Sequence, residues 1–102
     1  MKNIAVLGST GSIGTSTLDV ISLNLDKFSI SLLASDSNHK LLIKQCKKFN
    51  PKYVYLRDDK AARLFKDKLG SLKLKTSIVN ESDFLEIISR IGRNLLFHCN
   101  SK

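Results

Sequence analysis

Cysteine and long apolar runs are scarce in this sequence, and each scarcity excludes a class of protein. The two cysteines, Cys46 and Cys99, lack the close spacing of metal-ligating pairs, so we expect free thiols in a reducing compartment, the cytoplasm. No apolar run approaches the roughly 20 residues that cross a bilayer, and we expect no membrane partner. Met1 and Lys2 lead straight into the first predicted strand, whose apolar run begins at Ile4, so we expect no signal or transit peptide.

Acidic residues are outnumbered, with 9 aspartates and glutamates against 17 lysines and arginines, and the net charge is +8. Such a balance can indicate nucleic-acid binding. However, few aromatic residues lie among the lysines, which are spread over several stretches: Lys40, Lys44, Lys47 and Lys48, then Lys60, Lys66 and Lys68. We therefore expect a solvated basic surface that attracts an anionic cofactor, and no nucleic-acid partner.

Apolar strand-like runs alternate with helical stretches along the 102 residues. Strands are predicted over 4–7, 28–34, 53–56 and 75–79, with a fifth candidate over 94–98. Helices are predicted over 12–23, 39–49 and 60–69 and from Ser82 onward. This alternation predicts an α/β fold, a Rossmann-like doubly wound parallel sheet with helices on both faces. Because such a sheet usually has about six strands, we expect it to be incomplete at the C-terminus. Residues 1–102 would then be a single dinucleotide-binding domain, the front portion of a longer protein or a truncated product.

Helical periodicity also predicts which side chains face the core. In the first helix these are Ile13, Thr17, Val20, Ile21 and Asn24; in the second, Leu41, Leu42, Cys46 and Phe49; in the third, Ala61, Leu64, Phe65 and Leu69; in the fourth, Phe84, Leu85, Ile87, Ile88 and Ile91. Asp58 is predicted to cap the third helix, and Gly70 is predicted to end it.

Three glycines, Gly8, Gly11 and Gly14, follow the first apolar run and extend into the start of the first predicted helix. Gly8 permits a sharp turn off the strand, Gly11 has no Cβ to keep a phosphate away, and Gly14 allows close packing. The free N–H groups and the positive dipole at the helix start would then face a pyrophosphate. The spacing is G-x-x-G-x-x-G, a variant of the usual dinucleotide fingerprint, and a turn that binds nothing stays the alternative.

The segment from Gly8 to Ile21, GSTGSIGTSTLDVI, closely resembles the start of the 1-deoxy-D-xylulose 5-phosphate reductoisomerase family. The resemblance continues at Phe28, Gln45-Cys46, the Phe-Asn-Pro at 49–51 and Tyr53, and it covers residues 1–70 well. It implies an NADPH-dependent oxidoreductase of the methylerythritol phosphate route to isoprenoids. Enzymes of this family rearrange and reduce 1-deoxy-D-xylulose 5-phosphate to 2-C-methyl-D-erythritol 4-phosphate with a divalent metal, Mg²⁺ or Mn²⁺, and are typically homodimers.

The resemblance also implies which residues bind the cofactor. Thr10, Gly11, Ser12 and Ile13 would contact the pyrophosphate and adjacent groups, while Asn38 would lie at the adenosine ribose and its 2′-phosphate. The hydroxyls of Thr10 and Ser12 suit a phosphate. The family's metal ligands and substrate-phosphate ligands belong to sequence beyond residue 102, so no catalytic or metal-binding residue is assigned here.

One departure from the family bears on the choice of cofactor. The Gly-Lys-Asn usual after the second strand is Asp36-Ser37-Asn38 here. Without the lysine, Asp36 would favour NAD, because it can accept a hydrogen bond from the ribose 2′-hydroxyl. It would repel a 2′-phosphate by about 1–2 kcal/mol, which Lys40 and the start of the second helix could offset. A turn residue without ligand contact is the alternative for Asp36.

Other chemistry-bearing residues have structural interpretations. His39 and His98 are far apart in sequence and are expected to be packed or exposed histidines. Asp58 and Asp59 suit helix capping better than paired-carboxylate catalysis. Cys46 is expected in the core, and no histidine–acid pair accompanies Ser9 or Ser12 as a nucleophile would require. The nucleotide-binding portion of another reductase or epimerase, and a non-enzymatic fragment that binds nucleotide poorly, stay as alternative functions.

Overall fold

The computed structural model describes residues 2–91 and 95–96, over which strands and helices alternate. The elements are β1 (Lys2–Leu7), α1 (Ser12–Ser22), β2 (Phe28–Ser35), α2 (His39–Phe49), β3 (Tyr53–Leu56), α3 (Asp59–Leu72), β4 (Ser77–Ile78), α4 (Glu81–Ile91) and β5 (Leu95–Leu96). All strand pairs are parallel, in the order β4-β3-β2-β1-β5. The predicted α/β parallel sheet is therefore confirmed. Within the candidate fifth strand, Leu95–Leu96 pairs with β1, while Asn94 and 97–98 lie outside the described residues.

The sheet carries helices on both of its faces. From β1 to β4 the chain moves steadily toward one edge, so right-handed crossovers put α1, α2 and α3 on the same face. The connection from β4 to β5 runs back past β1, which puts α4 on the opposite face. The stacking of Phe84 in α4 on Tyr55 in β3, with ring centroids 4.2 Å apart, agrees with this arrangement.

The main core lies between the sheet and α1–α3. It contains Ile4, Val6, Leu18, Ile21, Ile30, Leu33, Leu42, Ile43, Cys46, Val54, Leu56, Ala61, Phe65 and Leu69. Burial confirms Cys46 as a core residue and raises the pKa of its thiol to about 12. Cys99 and His98 lie outside the described residues. Over the residues that are described, no helix is long and apolar enough to cross a membrane.

The predicted inward face of α1 is right at Ile21 and wrong at Ile13 and Val20. Ile13 and Val20 are 53% and 61% exposed. The buried positions of this helix are Gly14, Leu18 and Ile21, which recur at the four- and three-residue spacing of one helical face. The helix is rotated in this way because Gly14, rather than a large side chain, contacts the preceding loop.

The end of α3 also differs from the prediction. The helix passes through Gly70 and ends at Leu72, followed by Lys73 in a left-handed conformation with φ 55°. A helical glycine costs about 1 kcal/mol relative to alanine, but the extra turn packs Leu72 against the core. Leu64 and Leu85, which were predicted to face inward, are exposed. The remaining inward positions of α2–α4 are buried or half-buried, and the bounds of α2 and β3 match the prediction.

Candidate nucleotide-binding site

The loop between β1 and α1 is fixed to the end of β2 by its backbone. The N–H groups of Gly8 and Ser9 both donate to the carbonyl oxygen of Ala34, at 2.8 and 3.0 Å. Gly8 has φ 75°, a left-handed conformation that side-chain-bearing residues rarely adopt. The Gly11 N–H then donates to Gly8 O at 3.0 Å and closes the turn. The first glycine therefore makes the sharp turn that its position predicts.

Gly14 lies in α1 where no other residue fits. A Cβ at this position would be 2.0 Å from Gly8 O and 2.8 Å from the Cα of Ser9. Both contacts are with backbone, which cannot move aside as a flexible side chain can. The close packing predicted for Gly14 is present, and the partner is the loop itself. The helix start is thus held directly against the turn that leaves β1.

The start of α1 differs from the other helix starts in the described part of the chain. Gly11 precedes α1 and provides no side-chain cap. By contrast, the side chains of Asn38, Asp58 and Asn80 accept hydrogen bonds from backbone N–H groups at the starts of α2, α3 and α4. The first backbone N–H groups of a helix have no partner within the helix. No side chain caps those of α1, which lie at the carboxyl edge of the sheet, where uncapped N–H groups of a helix can bind an anion.

The other predicted cofactor-binding residues lie at the same edge. The hydroxyls of Thr10 and Ser35 are hydrogen-bonded at 2.5 Å, which ties the loop to the last residue of β2. Ser12 and Ile13 form the first turn of α1 and are exposed. Asn38 lies beyond β2, where its Oδ1 accepts from the Leu41 N–H at 3.2 Å. The structure therefore brings the loop residues and Asn38 to the ends of two adjacent strands.

Gln45 supports the loop from α2, a role that the sequence did not indicate. Its Nε2 donates to Ser9 O at 2.8 Å, and both residues are buried. Within the described residues, Ser9 Oγ and Gln45 Oε1 are buried without a hydrogen-bond partner. The sequence did hold one signal for this role. Gln45 is a polar residue on the inward face of a predicted helix, and a buried amide needs a hydrogen-bond partner.

Asp36 forms an ion pair with Arg57, which neither interpretation of Asp36 included. The Arg57 Nε donates to Asp36 Oδ1. Each residue directly follows its strand, and the loops run side by side, since Arg57 N donates to Ser35 O and Asp58 N donates to Asp36 O. The bond to Asp36 raises the pKa of the Arg57 guanidinium, so this side chain stays charged. Sequence reasoning missed Arg57 because its position depends on the pairing of β2 with β3.

Metal binding has no support in these residues. Over 2–91 and 95–96, no group of three or more His, Cys, Asp or Glu side chains could hold a metal ion. Asp58 caps α3 through the Ala61 N–H at 2.9 Å, as predicted, and Asp59 lies in the first turn of that helix.

Comparison with known proteins identifies the family. The family model described as 1-deoxy-D-xylulose 5-phosphate reductoisomerase matches residues 4–95. The chain belongs to this family. The match extends past the region up to residue 70 in which the sequence resemblance was clear, and it takes in α4 and the start of β5.

Curated members of the reductoisomerase family are similar over most of the chain. The 1-deoxy-D-xylulose 5-phosphate reductoisomerase of Proteus mirabilis is 43% identical over 91 residues, which is 89% of this chain and 23% of that protein. The Porphyromonas gingivalis protein of the same name is 47% identical over 74 residues, or 72% of this chain and 19% of that protein. The chain thus spans about a quarter or less of the length of the reductoisomerases that it matches.

Solved reductoisomerase structures share the fold. One, a reductoisomerase in complex with NADPH, fosmidomycin and magnesium, superposes with a TM-score of 0.80 at 28% identity, covering 87% of this chain and 22% of that one. The reductoisomerase from Zymomonas mobilis in complex with NADPH has a TM-score of 0.73 at 31% identity, covering 83% and 22%. The matched part of this chain therefore corresponds to about a fifth of each of these two reductoisomerases.

Proposed function

We propose that this chain is the NADPH-binding portion of a 1-deoxy-D-xylulose 5-phosphate reductoisomerase. Its residues 1–102 would form a single dinucleotide-binding domain. The observation that carries the proposal is the uncapped start of α1 behind the Gly8–Gly14 loop. A pyrophosphate would accept hydrogen bonds from the free N–H groups there and would be stabilised by the helix dipole.

Each predicted site residue has a role in this proposal. Gly8 and Gly14 hold the loop against α1. Gly11 would leave the helix start open to a phosphate, because it has no side chain that caps the helix. Thr10, Ser12 and Ile13 would line the pyrophosphate, with Thr10 kept in place by Ser35. Asn38 would lie at the adenosine ribose, beyond the carboxyl end of β2, where a ribose is bound in this class of fold. Two solved relatives are complexes with NADPH, which supports NADPH as the cofactor.

The reaction of the whole protein follows from the family. We propose the rearrangement and NADPH-dependent reduction of 1-deoxy-D-xylulose 5-phosphate to 2-C-methyl-D-erythritol 4-phosphate, by a homodimer in the cytoplasm that requires Mg²⁺ or Mn²⁺. NADPH supplies the hydride when it is bound. The residues described here would bind and orient the cofactor, and we assign none of them to catalysis or to the metal.

The test is a calorimetric titration of the purified chain with NADPH. Saturable binding is expected, and Gly11→Asp should abolish it because the new carboxylate would occupy the anion position. Aspartate is a favourable residue before a helix, but Gly11 is buried, so a melting curve of the variant is recorded beside the titration. Loss of binding without loss of stability would separate blockage of the site from unfolding.

Gly11→Asn is the matched control for charge. Asparagine has nearly the same size and also caps helices, but it is neutral. It should weaken NADPH binding less than aspartate does. An unaltered chain that melts cooperatively and binds no NADPH would contradict the proposal and favour a fragment that binds nucleotide poorly.

A further inference from the structure

We propose that Arg57 recognises the 2′-phosphate of NADPH and thereby selects NADPH over NADH in this chain. The inference rests on the proposed function and adds a specificity residue to it. The lysine usual in the family between Asp36 and Asn38 is replaced by Ser37, so the cation must come from elsewhere. Arg57 is the cation that the structure brings to Asp36.

The position of Arg57 follows from the pairing of β2 with β3. Ser35 pairs with Leu56 in register, so the next residues, Asp36 and Arg57, leave the sheet side by side. Asn38, the expected ribose ligand, is two residues beyond Asp36 and begins α2. In dinucleotide-binding folds the ribose lies beyond the second strand, and an arginine near that point accommodates the 2′-phosphate.

The ion pair leaves most of the guanidinium available. Only Nε is bonded to Asp36, and the Arg57 side chain is 73% exposed. Both terminal nitrogens can therefore donate to one phosphate in the two-pronged geometry that arginine favours. Asp36 restrains the side chain before the cofactor arrives, which lowers the ordering cost of binding. The Asp36 carboxylate would by itself repel the 2′-phosphate, but it also holds in place the Arg57 guanidinium that binds this phosphate.

The space beside Arg57 is large enough for part of a nucleotide. A cavity of about 460 Å³ lies at the carboxyl ends of β3 and β4, and its charged lining residues are Arg57, Arg63, Lys66, Asp59 and Glu81, three cations and two carboxylates. Ligand pockets usually have volumes of about 300–1,000 Å³. Because arginine can stack on an aromatic ring, the adenine ring would lie against the guanidinium on the side that faces the cavity.

The experiment compares ligands that differ only in the 2′-phosphate. The chain and its Arg57→Gln variant are titrated calorimetrically with NADPH and NADH, and with adenosine 2′,5′-bisphosphate and adenosine 5′-monophosphate. Loss of one charge-assisted phosphate contact should weaken the two 2′-phosphorylated ligands about tenfold or more, and the other two by less than about twofold. Arg57→Lys should fall between, because lysine keeps the charge but not the planar fork.

Arg90→Gln is the matched control. Arg90 is also an exposed arginine paired with a single carboxylate, Glu86, but it lies in the last turn of α4, the helix on the opposite face of the sheet from α1–α3. This variant should bind all four ligands as the unaltered chain does. High salt should reduce the preference for NADPH.

The outcomes distinguish the two proposals. If the unaltered chain binds neither NADPH nor NADH, the proposed function fails and the inference fails with it. If the chain binds NADPH but Arg57→Gln weakens all four ligands equally, or none of them, only the role of Arg57 is refuted. A melting curve for each variant separates these results from unfolding, which is not expected for so exposed a side chain.

Discussion

Gly14 and Gly70 are both helical glycines, yet a methyl group should have opposite effects at the two positions. Gly14→Ala forces its Cβ to within 2.0 Å of Gly8 O, whereas the same atom at Gly70 meets nothing within 4 Å. We expect Gly14→Ala to lower the free energy of unfolding by about 2–3 kcal/mol. Gly70→Ala should raise it by about 0.5–1 kcal/mol through its better helix propensity. Urea unfolding followed by circular dichroism measures both.

Gly70→Ala is also the control for the general effect of replacing a helical glycine. It lies in α3, away from the loop, and should leave NADPH binding unchanged. Gly14→Ala should weaken NADPH binding even at temperatures where the variant is folded, because α1 must move away from the turn. Unfolding of Gly14→Ala at the same urea concentration as the unaltered chain would contradict the contact.

At the residue scale, local chemistry was predictable and long-range pairing was not. Gly8 could be assigned from sequence because a turn off a strand needs a positive φ, which glycine adopts freely. Asp58 could be assigned because a cap acts within three residues. The phase of α1 could not be predicted, since it depends on how closely Gly14 approaches Gly8 O. Arg57 was missed because its bond to Asp36 joins residues 21 apart.

At the scale of the elements, Asn38 has two roles that can be separated. Its side chain caps α2 through the Leu41 N–H, and it is the proposed ribose contact. Asn38→Ala should lower the free energy of unfolding by about 1 kcal/mol. Asn38→Asp keeps the cap, so stability should be retained, while the added charge should weaken NADPH binding more than NADH binding. Urea unfolding and calorimetric titration measure the two effects.

Asn80→Ala is the control at another helix start. Asn80 caps α4 through the Asp83 N–H at 2.8 Å, at the β4 edge of the sheet and away from the glycine loop. It should cost a similar amount of stability. Because Asn80 also lines the cavity beside Arg57, this variant is a control for stability and not for nucleotide binding. Equal affinity of Asn38→Asp and the unaltered chain for NADPH would place Asn38 away from the 2′-phosphate and limit it to capping.

For the whole molecule, the two faces of the sheet are covered unequally. The face under α1–α3 holds the main core, whereas α4 has no fully buried residue among its described positions. Helix and strand alternation predicted that both faces carry helices, but not how well each is covered. How well a face of the sheet is covered depends on which elements reach it. This chain spans only about a fifth to a quarter of the length of its solved relatives.

This asymmetry predicts different costs for two phenylalanine truncations. Phe65 in α3 is fully buried in the main core, and Phe65→Ala should lower the free energy of unfolding by about 3–5 kcal/mol. Phe84 in α4 is half-buried and stacks on Tyr55, so Phe84→Ala should cost only about 1 kcal/mol. Amide hydrogen exchange should likewise be slowest in β1 and β2 and faster in α4, because exchange follows local stability. Equal costs for the two truncations, or protection in α4 that matches β1, would show that the sheet is covered equally on both faces.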